Sequence, residues 1–231
     1  MPVPPSRKPA RRSARKPARA PAGKPARSAA PAPRSEFDAG YFRRFYRNAR
    51  SRAHSRAQVA TLAAGLDGLA AWLHVEVRSV LDAGAGPGFL RDWFRAQRPA
   101  VRYRSIDVSP FACEAYGHEQ QDLARFRDGR YDLIVCQGVL QYLDDRACAR
   151  AIDNLGAMAR RLLYLEVVTD RDLREVCDPS GTDAQIHRRS GAWYRKRLGR
   201  CFDPVGAGLW AAREAGLAFY ELEAPGLRAR K

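Results

Sequence analysis

No stretch of this 231-residue chain approaches the roughly eighteen uncharged apolar residues that a membrane-spanning helix needs. Its longest apolar runs, such as Leu133-Ile134-Val135-Cys136, have the length of buried strands. The start, Met1-Pro2-Val3-Pro4-Pro5, lacks the apolar core of a secretory signal, and frequent prolines break up the amphipathic helix of a transit peptide. Cysteine is sparse: Cys113, Cys136, Cys148, Cys177 and Cys201 lie far apart with no C-x-x-C pair. That excludes a disulfide framework, and with four histidines and no clustered ligands no metal site is expected. These absences point to a cytoplasmic protein with reduced thiols.

Acidic residues are missing from residues 1 to 35, which carry ten Lys or Arg and so +10 of the formal net charge of +16. Residues 1–36 are built from Lys-Pro-Ala and Pro-Ala-Arg fragments, with no large apolar side chain beyond Met1 and Val3. Such a segment cannot offset its ordering entropy by burial and is expected to be a disordered basic tail. Its charge suits non-specific contact with nucleic acid or anionic surfaces, but it has no aromatic residue for base stacking.

A folded domain is expected over 37–231, in three parts. In 37–76 two helices are expected. Phe37, Tyr41, Phe42, Phe45 and Tyr46 form an aromatic stripe at helical spacing, and Val59, Leu62, Leu66, Leu69 and Leu73 line one face of a helix starting near Ser55. In 77–168, apolar runs at Val77–Leu81, Val101–Ile106, Tyr131–Cys136 and Leu162–Val168, with a faint one near Gln120, alternate with helical stretches. These are Gly88–Gln97, Ser109–Tyr116 and Asp144–Arg160. That alternation predicts an α/β fold with a doubly wound, mostly parallel sheet of seven strands. In 169–231 a polar, irregular segment over 170–189 could serve as a lid, before a helix at Gly191–Leu198. Val205–Ala211 and Leu217–Leu222 are expected to close the sheet as a terminal antiparallel hairpin turning at Arg213–Gly216.

The segment Asp82-Ala83-Gly84-Ala85-Gly86-Pro87-Gly88 lies between the first strand and a helix, where a doubly wound fold places its ligand. Glycine lets the backbone turn tightly and approach a cofactor, and the helix start favours an anionic group. A dinucleotide fingerprint fails because Phe89 stands at its last position, and a P-loop fails because no Gly-Lys-Ser/Thr follows.

This D-x-G-x-G-x-G pattern, with Val80 and Leu81 before it, resembles the first motif of class I S-adenosylmethionine-dependent methyltransferases. Asp107, 19 residues beyond Gly88 at a strand end, resembles the family's acidic residue on the ribose hydroxyls, with Val108 beside it. Asp122-Leu123 resembles the pair that meets adenine, and Tyr131–Cys136 with Gln137–Leu143 resembles the fourth motif, under the methionine moiety. The resemblance implies S-adenosylmethionine as cofactor, held by Asp82, Gly84, Ala85, Gly86, Gly88, Asp107, Val108, Asp122, Leu123 and Gln137. Tyr41 and Tyr46 are further candidates, because the family often lays an N-terminal helix over the cofactor.

Gln137-Gly138-Val139-Leu140 stands where base and glutamine methyltransferases carry Asn/Asp-Pro-Pro-Tyr/Phe, and no Pro-Cys nucleophile precedes it. The string looks more like small-molecule methyltransferases, many of which have histidine where Gln141 stands. The catalytic candidates are therefore His187, Tyr142 and Gln141, with Glu166, Asp178, Asp183, Arg188 and Arg189 also placed to reach a pocket. A small-molecule substrate is expected; delivery by the tail to RNA, ribosome or protein, and a non-catalytic binding module, stand as alternatives.

Overall fold

The computed structural model describes residues 37–49, 51–179 and 181–220, all within one compact unit. The expected disorder of residues 1–36 lies outside the described residues. A short helix α1 (Ala39–Phe42), capped by the Asp38 side chain, runs into a π-helical turn over Arg43–Arg47. Helix α2 (Arg56–Trp72) starts at a reciprocal cap between Ser55 and Gln58. Then follow β1 (Ser79–Ala83), α3 (Phe89–Gln97), β2 (Arg102–Asp107), α4 (Pro110–Tyr116) and β3 (Glu119–Gln120). The second half runs β4 (Tyr131–Gln137), a 3-10 turn (Leu140–Tyr142), α5 (Asp145–Met158), β5 (Ala159–Glu166), α6 (Asp170–Glu175), α7 (Gly191–Leu198), β6 (Phe202–Gly206) and β7 (Leu209–Ala212).

The seven strands form one sheet in the order β3-β2-β1-β4-β5-β7-β6. The first five run parallel, while β7 pairs antiparallel with both β5 and β6. Strand alternation sends Leu81, Ile134 and Leu163 to one face, against Ile152 and Leu155 of α5 and Leu198 of α7. It sends Val80, Leu133 and Leu162 to the other, against Val59, Ala63 and Leu66 of α2 and Leu90 and Phe94 of α3. Because both faces are covered, β1 and β4 are buried along nearly all their length, and their middles, Val80-Leu81 and Leu133–Cys136, read as unbroken apolar runs. The order reverses between β1 and β4, so their carboxyl ends splay apart and leave a crevice there.

Four expectations change. The terminal hairpin is β6–β7, and its turn is Ala207-Gly208, where φ reaches 46° and 81°. Arg213–Ala215, the expected turn, is a 3-10 helix, and Leu217 to Tyr220 form no strand; residues 221 and 222 lie outside the described ones. Phe202–Gly206 was hard to see because Asp203, Pro204 and Gly206 look like loop; an edge strand tolerates proline where an inner one cannot. The aromatic stripe is not one α-helix, because the π-helical turn adds a residue and rotates Tyr46 inward. Residues 170–189 are not wholly irregular: Thr169 and Asp172 cap each other and start α6. On α2 the buried positions are Val59, Ala63, Leu66 and Ala70, so the face is rotated and leaves Leu69 exposed.

Candidate cofactor and acceptor site

The loop after β1 turns through Gly84, Gly86 and Gly88 at φ of 82°, 55° and 75°, a left-handed region that side chains resist. At Gly84 the demand is also steric, since a Cβ would stand 2.1 Å from Val139 Cγ2. Hydrogen bonds pin the loop to β2. Gly84 and Ala85 N–H donate to the Ile106 carbonyl at 2.8 and 3.1 Å. Asp107 accepts from Gly86 N–H at 2.9 Å through Oδ2 and from Ser109 N–H at 2.8 Å through Oδ1. His118 clamps the far side: Nε2–H donates to the Gly86 carbonyl at 3.0 Å, so Nδ1 accepts from Ser105 Oγ at 2.9 Å. Burial pushes the His118 pKa down and keeps the ring in that neutral tautomer.

Asp82, at the end of β1, accepts from the Tyr103 hydroxyl at 2.7 Å. Burial pushes its carboxyl up to about 7, against the pull of that hydrogen bond. The structure therefore keeps an acidic group in the wall that is only partly ionised near neutral pH.

Two adjoining cavities open on this loop. The smaller, about 330 Å³, is lined by Asp107, Val108, Asp122, Leu123, Gln137 and His187, among others. The larger, about 420 Å³, reaches Asp82, Ala85, Gln137, Gln141, Glu166 and Asp183. Tyr41, Tyr46, Gly84, Gly86, Gln137, Gly138 and Tyr142 line both. Tyr41 and Tyr142 meet hydroxyl to hydroxyl at 3.1 Å. Tyr46 stacks on Phe42 and lies against Gly86, and burial pushes its phenol far up.

Nine of the ten sequence-derived cofactor residues thus line a cavity. Gly88 does not; it caps α3, where a Cβ would press on Arg91 and His118. The three catalytic candidates separate. Tyr142 faces both cavities and donates to Asp183 Oδ2 at 3.3 Å. Gln141 is 4% exposed, lines the larger cavity, and its Oε1 has no partner among the described residues. His187 lines the smaller cavity, and its backbone N–H donates to the Gln141 carbonyl at 2.8 Å. Arg189 is buried instead of gripping a ligand: it donates to Asp145 Oδ1 at 2.7 Å, to Leu140 O at 3.3 Å, to Tyr194 Oη at 3.1 Å and to Leu143 O. Arg188 is exposed and lines neither cavity. Cys136 is buried in β4, where burial pushes its thiol far up.

Sequence reasoning missed His54. Its Nε2 lies 3.0 Å from Glu166 Oε1 on the wall of the larger cavity, although the two are far apart in sequence. No spacing pattern surrounds it; the only local signal is the Ser55–Gln58 cap that fixes where α2 begins. His118 was missed for the same reason.

Residues 50–222 match a family described as a methyltransferase domain. The chain belongs to the class I, S-adenosylmethionine-dependent methyltransferase family. Solved structures agree on the fold. A magnesium protoporphyrin IX methyltransferase from Synechocystis PCC 6803 with bound S-adenosylhomocysteine is 21% identical at a TM-score of 0.50, covering 77% of this chain and 96% of that one. The plantazolicin methyltransferase BpumL, in complex with a monoazolic desmethylPZN analog and S-adenosylhomocysteine, is 13% identical at a TM-score of 0.51. That match spans 63% of each chain. No curated protein sequence matches the chain. Among the described residues, no helix of this methyltransferase is long and apolar enough to cross a membrane.

Proposed function

We propose that this methyltransferase transfers the methyl group of S-adenosylmethionine to a small-molecule acceptor. The smaller cavity, the glycine loop and the adjoining Asp82 end of the larger cavity would hold the cofactor, and the remainder of the larger cavity the acceptor. The observation that carries this reading is the pair of cavities meeting at Gly84, Gly86 and Gln137. A methyl donor and its acceptor must touch at one point while being held by different walls. The Tyr41–Tyr142 contact and the modest volume of the larger cavity suit a compact molecule.

The residues present fit the cofactor. Asp107 uses one acceptor position on each oxygen for its own backbone contacts, and a carboxylate has about four, so two hydroxyls could still be accepted. Val108 and Leu123 give the smaller cavity apolar wall beside Asp122. Asp82, uneasy as a buried anion, suits an ammonium group. When bound, the sulfonium supplies an electrophilic methyl group; the chain's share is to orient both partners and exclude water.

Calorimetry with S-adenosylhomocysteine tests the cofactor side. The full chain should bind it, and Asp107→Ala should weaken binding by about 100-fold, as expected for losing hydrogen bonds to a charged group. Equal binding by the variant would overturn the assignment. Incubation with methyl-labelled cofactor and cell extract tests the acceptor side: label should enter the low-molecular-weight fraction, and label confined to RNA or protein would replace this reading.

A further inference from the structure

The larger cavity contains an acid–base pair that the cofactor site does not use. His54 comes from the segment between the π-helical turn and α2, and Glu166 from the carboxyl end of β5, beside its register partner Gln137. Glu166 Oε1 faces His54 Nε2 at 3.0 Å, while Oε2 accepts from Gln137 Nε2 at 3.1 Å and from the Tyr164 hydroxyl at 3.3 Å. The carboxylate is therefore fixed on both oxygens. Burial alone would push the Glu166 pKa up, but its contacts with His54, Gln137 and Tyr164 bring it below the usual value. Being acceptor-only when ionised, it dictates the imidazole tautomer: Nε2 carries the proton, and Nδ1 is left as a base. Nδ1 makes no hydrogen bond among the described residues.

We infer that His54 is the general base of an O-methylation, oriented by Glu166, and that the acceptor is a hydroxyl-bearing compound of about ring size. This rests on the small-molecule reading above and narrows it. Chemistry separates the acceptor classes. A carboxylate is already ionised, a neutral amine already has its lone pair, and a thiol ionises close to neutral pH. A neutral hydroxyl alone needs its proton removed as it reacts, which a carboxylate-oriented imidazole is built to do. Gln141 lines the same cavity, but its Oε1 is closed off from it, with no donor among the described residues. Tyr41, Phe45 and Tyr142 supply aromatic wall for the body of such a molecule.

In the step, the hydroxyl proton passes to Nδ1 as an oxygen lone pair bonds the methyl carbon and the C–S bonding pair returns to sulfur. One methyl ether and one neutral thioether result, and the imidazolium then releases its proton to water. Eight other ionisable side chains line the cavity with this pair: Arg52 beside His54, Asp82 of β1, Cys177, Asp178 and Asp183 after α6, Tyr41 of α1, Tyr46 of the π-helical turn and Tyr142. Of the neighbours, Glu166 has the largest effect on His54; its hydrogen bond raises the imidazole pKa against the opposing effect of burial.

The test has two arms, both on the full chain. Nitrogen NMR of the histidine rings, with His54 assigned through His54→Gln, should show Nε2 protonated in the neutral ring and a pKa above that of an ordinary histidine side chain. Glu166→Gln should lower that pKa. A proton on Nδ1, or no response to Glu166→Gln, overturns the pair as a base. In the second arm, methyl-labelled cofactor and the small-molecule fraction of a cell extract are supplied across a pH series. Label should appear in methyl ethers, with a rate that rises with pH through the His54 titration. His54→Gln should reduce it by about 10²–10⁴-fold while S-adenosylhomocysteine binding is unchanged, and Glu166→Gln should move the rise to lower pH. Label in amines, thioethers or esters overturns the inference alone. No label in any small molecule, with S-adenosylhomocysteine still bound, overturns the small-molecule reading and the inference with it.

Discussion

The two cavities adjoin at Gly86 and Gln137, yet they are built in opposite ways. The walls around the glycine loop come from the ends of neighbouring parallel strands, tied by backbone hydrogen bonds to Ile106 and by the Asp107 and His118 side chains. The far walls of the larger cavity come from separate pieces of chain: the stretch around His54, the end of β5, and the loop carrying Asp178 and Asp183. Strand ends in a packed sheet can hold a ligand in one geometry, while loops can vary their side chains without disturbing the fold. A common cofactor and a specialised acceptor would place these demands on the two sides.

Five substitutions, one of them a control, would break or sharpen this contrast. Gly84→Ala should have the largest effect. It combines a left-handed alanine, costing about 1–2 kcal/mol, with a clash against Val139 costing about 1–3 more. Urea unfolding should show that loss, and binding of S-adenosylhomocysteine should disappear. Gly86→Ala, whose Cβ meets Tyr46 Oη at an ordinary 3.5 Å, is the control and should lose only the backbone part. If the two behave alike, the loop is less tightly held than its contacts imply.

Arg189→Ala comes next. It leaves the Leu140 and Leu143 carbonyls and the Tyr194 hydroxyl without this donor, at a cost of about 2–3 kcal/mol. In a thermal melt the variant should unfold several degrees early, while S-adenosylhomocysteine affinity changes less than for Gly84→Ala. Loss of cofactor binding equal to that of Gly84→Ala would show that the two sides are coupled.

Asp82→Asn should act in the other direction. The carboxyl, ordinarily near 3.8, is pushed up to about 7 in the fold by burial. With a folded pKa above the unfolded one, its contribution is fully present below about pH 4 and is lost as pH rises through 7. At pH 8 the cofactor-free variant should therefore be more stable than the parent, by about 1–2 kcal/mol. Binding of a cationic cofactor near pH 7 should release a proton from the parent and none from the variant, as calorimetry in two buffers of different ionisation enthalpy would show. Equal proton release would place the titrating group elsewhere. Arg171→Ala should have the smallest effect: its 2.6 Å pair with Glu175 is exposed, so stability should stay within about 0.5 kcal/mol.

The same contrast explains what the sequence could tell. The glycine loop and Asp107 were legible because backbone geometry restricts which residues can stand there, and Asp82 to Gly88 is contiguous. The central strands were legible because burial on both faces leaves an unbroken apolar run. His54 was not, since its partner Glu166 is brought to it only by the sheet, and one histidine in a polar stretch has no local pattern. Tyr41 and Tyr46 were candidates through the family resemblance, but the extra residue in the turn that carries Tyr46 is something spacing rules for an ordinary helix cannot express. The final hairpin was misplaced because its outer strand, with Asp203, Pro204 and Gly206, has the composition of a turn.

That outer strand also bears on how the rims of the sheet are guarded. An open sheet offers two rims to any passing extended chain, and a long flat rim invites aggregation while the protein folds. Here one rim is β3, two residues long, and the other is β6, with Pro204 and a break in register before Gly206. Proline has no N–H to offer and the irregularity spoils the repeat, so neither rim among the described residues is a good template for a second copy. The residues that hid β6 from sequence inspection are the ones that discourage the sheet from growing.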